Sequence, residues 1–165
     1  MPVHAVDIDA AFDRLEQLYA ELPAMEALAE RLERSRDAAA VTAAAEEHGT
    51  HQALLTAAEE GERCARAALE AAQEGEAGAS EARVDELRRA AVYAGSLKGY
   101  RIGPERHARH RLESALAESP FSTVAEATEA LLDATQTTVL EQQLASYRAQ
   151  YAEALAACQA LSPDA

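Results

Sequence analysis

Apolar positions recur along this chain at intervals of three and four residues, the spacing that aligns one face of a helix. Ile8, Phe12, Leu15, Leu18 or Tyr19, and Leu22 form the first stripe, with Asp7 or Asp9 suited to the helix start. Pro23 lacks a backbone donor and clashes with the preceding turn, so a break or kink is predicted there. A second helix carries Met25, Leu28 and Leu32, thins to Ala39, Val41 and Ala44, and stops at Gly49. Thr50 suits the N-cap of a third helix. Its seam reads Leu54, Ala58, Gly61, Ala65, Ala68, Ala72, nearly all small, which predicts a close-packed face. Glu59 with Arg63, and Glu62 with Arg66, are four apart in the favourable order on the exposed side.

Residues 74–79 hold two glycines and no large apolar side chain, and predict a flexible loop. Ser80 can cap a fourth helix bearing Val84, Leu87, Ala91, Ala94 and Leu97. Gly103-Pro104 predicts a turn, with Pro104 as first residue of a fifth helix through Leu112 and Leu116. Ser119-Pro120 ends it. Thr123 and Glu126 have capping-box spacing, with Phe121 placed to pack nearby, so a short sixth helix through Ala127, Leu131 and Leu132 follows. The last helix starts between Ala134 and Thr138, where Thr138 and Glu141 offer a second capping box. Its seam of Leu140, Leu144, Tyr147, Tyr151, Ala154, Cys158 and Leu161 alternates steps of four and three, a heptad pattern, and Ser162-Pro163 closes it. No repeat of fixed period appears, which argues against a solenoid.

Composition strengthens this picture. Ala supplies 42 of 165 residues and Glu 22, both strong helix formers. The expected fold is therefore all-α: an antiparallel helical bundle of about four long helices with shorter connectors and a coiled-coil-like C-terminal helix, in a single domain over residues 1–165. Cys64 and Cys158 belong to no paired spacing and read as small buried hydrophobes in a reducing compartment. No basic start with a secretory apolar run and no stretch of about 20 apolar residues is present, so a cytoplasmic protein without a membrane contact is expected.

Charge adds the one pointer toward a contact surface. The formal net charge is −14, yet eight of the fifteen basic residues fall between Arg83 and Arg111, beside only Asp85, Glu86 and Glu105. Lys98, Tyr100, Arg101, Arg106, Arg109 and Arg111 are the candidate partner- or anion-binding residues. Arg106, His107 and Arg109 would crowd the first turns of the fifth helix, whose free N–H groups attract anions. The same pattern also fits a solvated face, with Glu105 pairing Arg109. The acidic remainder repels a nucleic-acid backbone, so nucleic acid is not the expected partner.

Motifs for catalysis are missing: no phosphate-binding glycine loop, H-E-x-x-H or G-x-S-x-G occurs. Two His-x-x-His pairs, His48/His51 and His107/His110, are the alternative candidates for a metal or anion site. The basic cluster repels a divalent cation, and a break at Gly49 would misalign the first pair. The functional expectation is a non-catalytic interaction or assembly module, needing no cofactor, that contacts an acidic protein partner or itself as a homodimer. It would use the basic patch and possibly a C-terminal seam of Leu140, Leu144, Tyr147 and Tyr151.

Overall fold

The computed structural model describes the backbone of residues 3–75 and 80–161, and side chains from 9 to 75 and from 80 to 160. Every described element is an α-helix: α1 (Val3–Glu74), α2 (Glu81–Glu118), α3 (Val124–Ala130) and α4 (Ala134–Leu161). The all-helical class expected from composition is what the chain adopts. The chain divides into two compact units, Met1–Ala38 with Glu129–Ala165, and Ala39–Thr128.

In the first unit the early part of α1 lies along α4. Leu18, Leu32 and Ala38 are buried on α1, and Leu140, Leu144, Ala154 and Cys158 on α4. The Tyr147 hydroxyl donates to the Leu18 carbonyl at 2.8 Å, Arg14 bonds Gln150, and Arg36 reaches Glu141 at 3.1 Å. Partner numbers fall on α4 as they rise on α1, so the two run antiparallel. Burying a leucine such as Leu18 contributes about 1.5–3 kcal/mol. Ser35 is buried, but its hydroxyl oxygen accepts from the Leu132 N–H at 2.9 Å, so it is not stranded.

In the second unit the later part of α1 lies along α2. Val41, Ala44 and Ala58 are buried on α1 and Ala108 on α2, while Phe121 and Ala127 are buried before and within α3. Lys98 pairs Glu62, and Arg111 pairs Glu47, again in antiparallel order.

The helix ends predicted at Gly49-Thr50 and Gly103-Pro104 are absent, and at Pro23, where a break or kink is predicted, the helix is not broken. Pro23, Gly49-Thr50 and Gly103-Pro104 all lie inside continuous helices. The physical reason is position. Pro23 and Gly49 are exposed, so neither removes packing, and the Tyr19 carbonyl that loses its donor to Pro23 sits beside an exposed side chain. An internal proline costs about 3 kcal/mol and a glycine about 1. A seam that continues through Leu22, Met25, Ala44, His48, His51 and Leu55 outweighs those local terms. Thr50 does not cap; its hydroxyl donates back to the Glu46 carbonyl at 2.9 Å.

The small seam is also corrected. Ala58, Ala65 and Ala72 face inward, but Leu55 precedes them and Glu62 and Leu69 stand between them; Leu54, Gly61 and Ala68 are exposed. Glu62 does bond Arg66 at 2.6 Å, yet it is buried where the exposed side was expected, and Arg63 pairs Glu60 in place of Glu59. On the first stripe Leu18 is buried, whereas Tyr19 and Phe12 are exposed. In the second, Ala38 takes the inward place expected of Ala39.

Caps follow chemistry more closely than seams do. Ser80 accepts from the Arg83 N–H at 3.3 Å, and Thr123 from the Glu126 N–H at 3.2 Å. The Glu126 carboxylate reaches back to the Ser122 N–H at 2.8 Å, and Phe121 is buried alongside. At the start of α4 the box is Asp133 with Gln136, each bonding the other's backbone N–H, and not Thr138 with Glu141. The Thr138 hydroxyl donates to the Ala134 carbonyl inside the helix. Cys158 is buried as expected, but Cys64 is exposed, and both are free thiols. Most of the predicted loop, residues 76–79, and the closing Ser162-Pro163 lie outside the described residues. No described helix is long and apolar enough to cross a membrane.

Candidate interaction surface

The middle of α2 carries its charges toward α1 and its aromatic residues toward water. Between Arg89 and Arg106 the charged residues are Lys98, Arg101 and Glu105. Glu105 is only 4% exposed, and Lys98 and Arg101 are half-buried. They continue the inward seam of Val84, Leu87, Ala91 and Ala94 at steps of three and four. The opposite face therefore holds no charge over that span. It presents Val92 (66% exposed), Tyr93 (71%), Ser96, Gly99, Tyr100 (71%) and Gly103, and it leads on to His107. Ser96 satisfies its own hydroxyl by donating to the Val92 carbonyl at 3.0 Å. A contiguous exposed apolar face is informative in a way that scattered exposed residues are not.

Two of the inward charges, Glu105 and Lys98, are paired. The Glu105 carboxylate accepts from Arg109 Nε at 3.1 Å and from an Arg109 terminal nitrogen at 2.6 Å, and lies 3.3 Å from His48 Nε2. The Arg109 guanidinium holds Glu105 below the usual carboxylate range against the opposing effect of burial, and His48 adds to it. Glu62 sits 2.8 Å from Lys98 Nζ and 2.6 Å from Arg66, and Lys98 is the main cause of its lowered pKa. Gly95 lies beside this pair, and a Cβ on it would meet a Glu62 carboxylate oxygen at 3.5 Å, an ordinary contact.

The predicted basic patch is thereby divided. Lys98, Arg109 and Arg111 have partners in Glu62, Glu105 and Glu47. Arg101 lies with its guanidinium 5.6 Å from the centre of the exposed Tyr100 ring. Arg89 and Arg106 are exposed and have no ion pair among the described residues. The anion site expected at a helix start is not formed, because Arg106, His107 and Arg109 lie mid-helix, where backbone N–H groups are already bonded within the helix.

The four histidines do not converge. His48 and His51 are half-buried on the side of α1 toward α2, and His51 Nδ1 is a buried atom without a hydrogen-bond partner. His107 and His110 are exposed and line a shallow groove on α2 with Gly103, Arg106, Arg109 and Glu113. Among the described residues no group of three or more His, Cys, Asp or Glu side chains is placed to hold a metal ion. On α4, Leu140 and Leu144 are buried, and Tyr147 and Tyr151 are half-buried with ring centres 6.2 Å apart. Burial pushes the Tyr147 phenol up. Tyr100 entered the sequence reading only as a neighbour of the basic residues, and Val92 and Tyr93 did not enter it. The signal was present: Lys98, Arg101 and Glu105 share the spacing of Ala91 and Ala94, which turns residues 92, 93, 96, 99, 100 and 103 outward. Compared with protein-family models, with curated proteins and with solved structures, the chain matches none.

Proposed function

We propose that the protein is a non-catalytic helical interaction module whose contact surface is the outward face of α2. The observation that carries this reading is the reversed polarity of that segment, with charges inward and two tyrosines and a valine about two-thirds exposed. Exposed tyrosines with apolar bodies and polar tips suit contact surfaces. Gly99 and Gly103 keep this face low, and a Cβ at either would meet nothing within 4 Å. Antiparallel coiled-coil packing of α1 with α2 and α4 belongs to the same reading, as the scaffold that holds the surface. Leu140 and Leu144 already serve that scaffold, so α2 and not the α4 seam makes the contact.

Site-specific photo-crosslinking in cells tests the proposal. A photoreactive residue replacing Ser96 should give a discrete crosslink that a photoreactive residue at exposed Arg63 on α1 does not. Identical patterns from both positions, or none from Ser96, would refute it.

A further inference from the structure

We infer that the occupant of this face is an acidic amphipathic helix of a different protein, an inference that rests on the contact surface proposed above. The shape of the face asks for a helix. Ser96, Gly99 and Gly103 form a low strip along α2, with Tyr93 and Tyr100 along one edge and Val92 in line with it at the N-terminal end. Such a strip admits the ridge of a second helix at short interaxial distance, with the tyrosine rings closing along its side. The small floor leaves room for residues of moderate size, such as alanine and leucine, at the centre of the partner's apolar stripe.

Charge selects the partner's sign. Arg89 and Arg106 stand at the two ends of the uncharged strip, seventeen residues or about 26 Å apart, without ion pairs among the described residues. Arg101 sits beside Tyr100 midway. A helix carrying carboxylates about 26 Å apart would satisfy both ends at once, in either chain direction. The remaining basic residues of α2 add no such demand: Arg83, Arg88, Lys98, Arg109 and Arg111 each have a carboxylate partner. A second copy fits less well. A twofold pairing of α2 with itself, centred near Lys98, would oppose each tyrosine to a small residue. That packing is complementary, but it would bring Arg89 beside Arg106 of the second copy at both ends, where like charges repel. A nucleic-acid backbone, charged along its whole length, would extend beyond this small footprint onto the acidic remainder of the chain, which repels it.

The test uses the full chain and three synthetic helical peptides with one Ala/Leu stripe, differing only in whether the end positions are Glu, Gln or Lys. Fluorescence anisotropy of labelled peptide reads binding. The Glu peptide should bind tightest and the Lys peptide weakest, with a separation of roughly tenfold for two exposed charge sites. That separation should collapse in 1 M salt, where the screening length is about 3 Å. Arg89→Glu with Arg106→Glu should invert the order while helicity is retained, and Tyr93→Ala with Tyr100→Ala should weaken all three peptides. Equal binding of the three peptides, lost in the tyrosine variant, overturns the acidic partner but keeps the surface. Concentration-dependent self-association abolished by Tyr100→Glu overturns it in favour of a second copy. No binding by any peptide at 1 mM also overturns it, while crosslinking from Ser96 separately decides the contact surface. Binding indifferent to the tyrosine variant overturns both readings.

Discussion

Gly49 separates two accounts of this chain, because a turn and a helix there respond oppositely to a methyl group. In a continuous α1, Gly49→Ala removes the entropic cost of glycine in a helix interior, about 0.8–1.0 kcal/mol. Nothing subtracts from that gain, since an added Cβ meets no atom within 4 Å and the position is exposed. Gly61 is equally open, twelve residues or about 18 Å further along, far enough for the two effects to add. The double variant should therefore gain about 1.6–2 kcal/mol, or about 3–8 °C in melting temperature for a chain of this size. Urea and thermal unfolding followed at 222 nm measure it. If α1 instead ended at Gly49 in a left-handed residue, alanine would be strained and stability would fall. A loss at Gly49 with a gain at Gly61 would refute the continuous helix at that point. Gly103→Ala should gain less than either, because it precedes Pro104. A Cβ before proline disfavours the helical conformation, which glycine there tolerates better.

Leu18→Ala should cost about 2–5 kcal/mol in chemical denaturation, because Leu18 is fully buried and its removal leaves a cavity; a change below 1 would show that the α1–α4 packing is looser than described. Asp133→Ala should cost about 0.5–2 kcal/mol through loss of the cap on α4, whereas Thr138→Ala should matter less. Glu62 and Glu105 both have folded pKa values below their unfolded ones, so their contribution is present above the unfolded carboxylate value of about 4.3 and is lost as pH falls below it. Unfolding midpoints of the parent chain should drop between pH 5 and pH 3, and Glu105→Gln should flatten that dependence. Cys64 should react with a thiol reagent in the folded protein and Cys158 only on unfolding, as a timed alkylation read by mass spectrometry will show.

Local chemistry was readable directly from the residues. The helical class follows from alanine and glutamate content, and Ser80 and Thr123 cap helices because a short hydroxyl before a helix has few better partners than the first free N–H groups. The stop at Ser119-Pro120 was legible for a similar reason: it ends a helix where no seam continues beyond it. Helix continuity was not local. Pro23, Gly49 and Pro104 have the same intrinsic cost wherever they stand, and only the partner helix alongside determines whether that cost ends the helix or is absorbed. Seam register was undecidable for a related reason. In an alanine-rich segment such as 54–72, adjacent candidate stripes differ by one or two large side chains, so periodicity cannot choose between Leu54 and Leu55, or foresee Glu62 facing inward. Lys98 and Arg66 make that buried carboxylate tolerable, and Lys98 is supplied from another helix. The charged cluster was visible as a sum over residues 83–111, but its sum did not reveal its use. Arg109 took the local pairing with Glu105 that its spacing offers, whereas tertiary pairing consumed Lys98 and Arg111, left Arg89 and Arg106 exposed, and turned Tyr93 and Tyr100 to water, because the side of α2 that meets α1 is fixed by contacts distant in sequence.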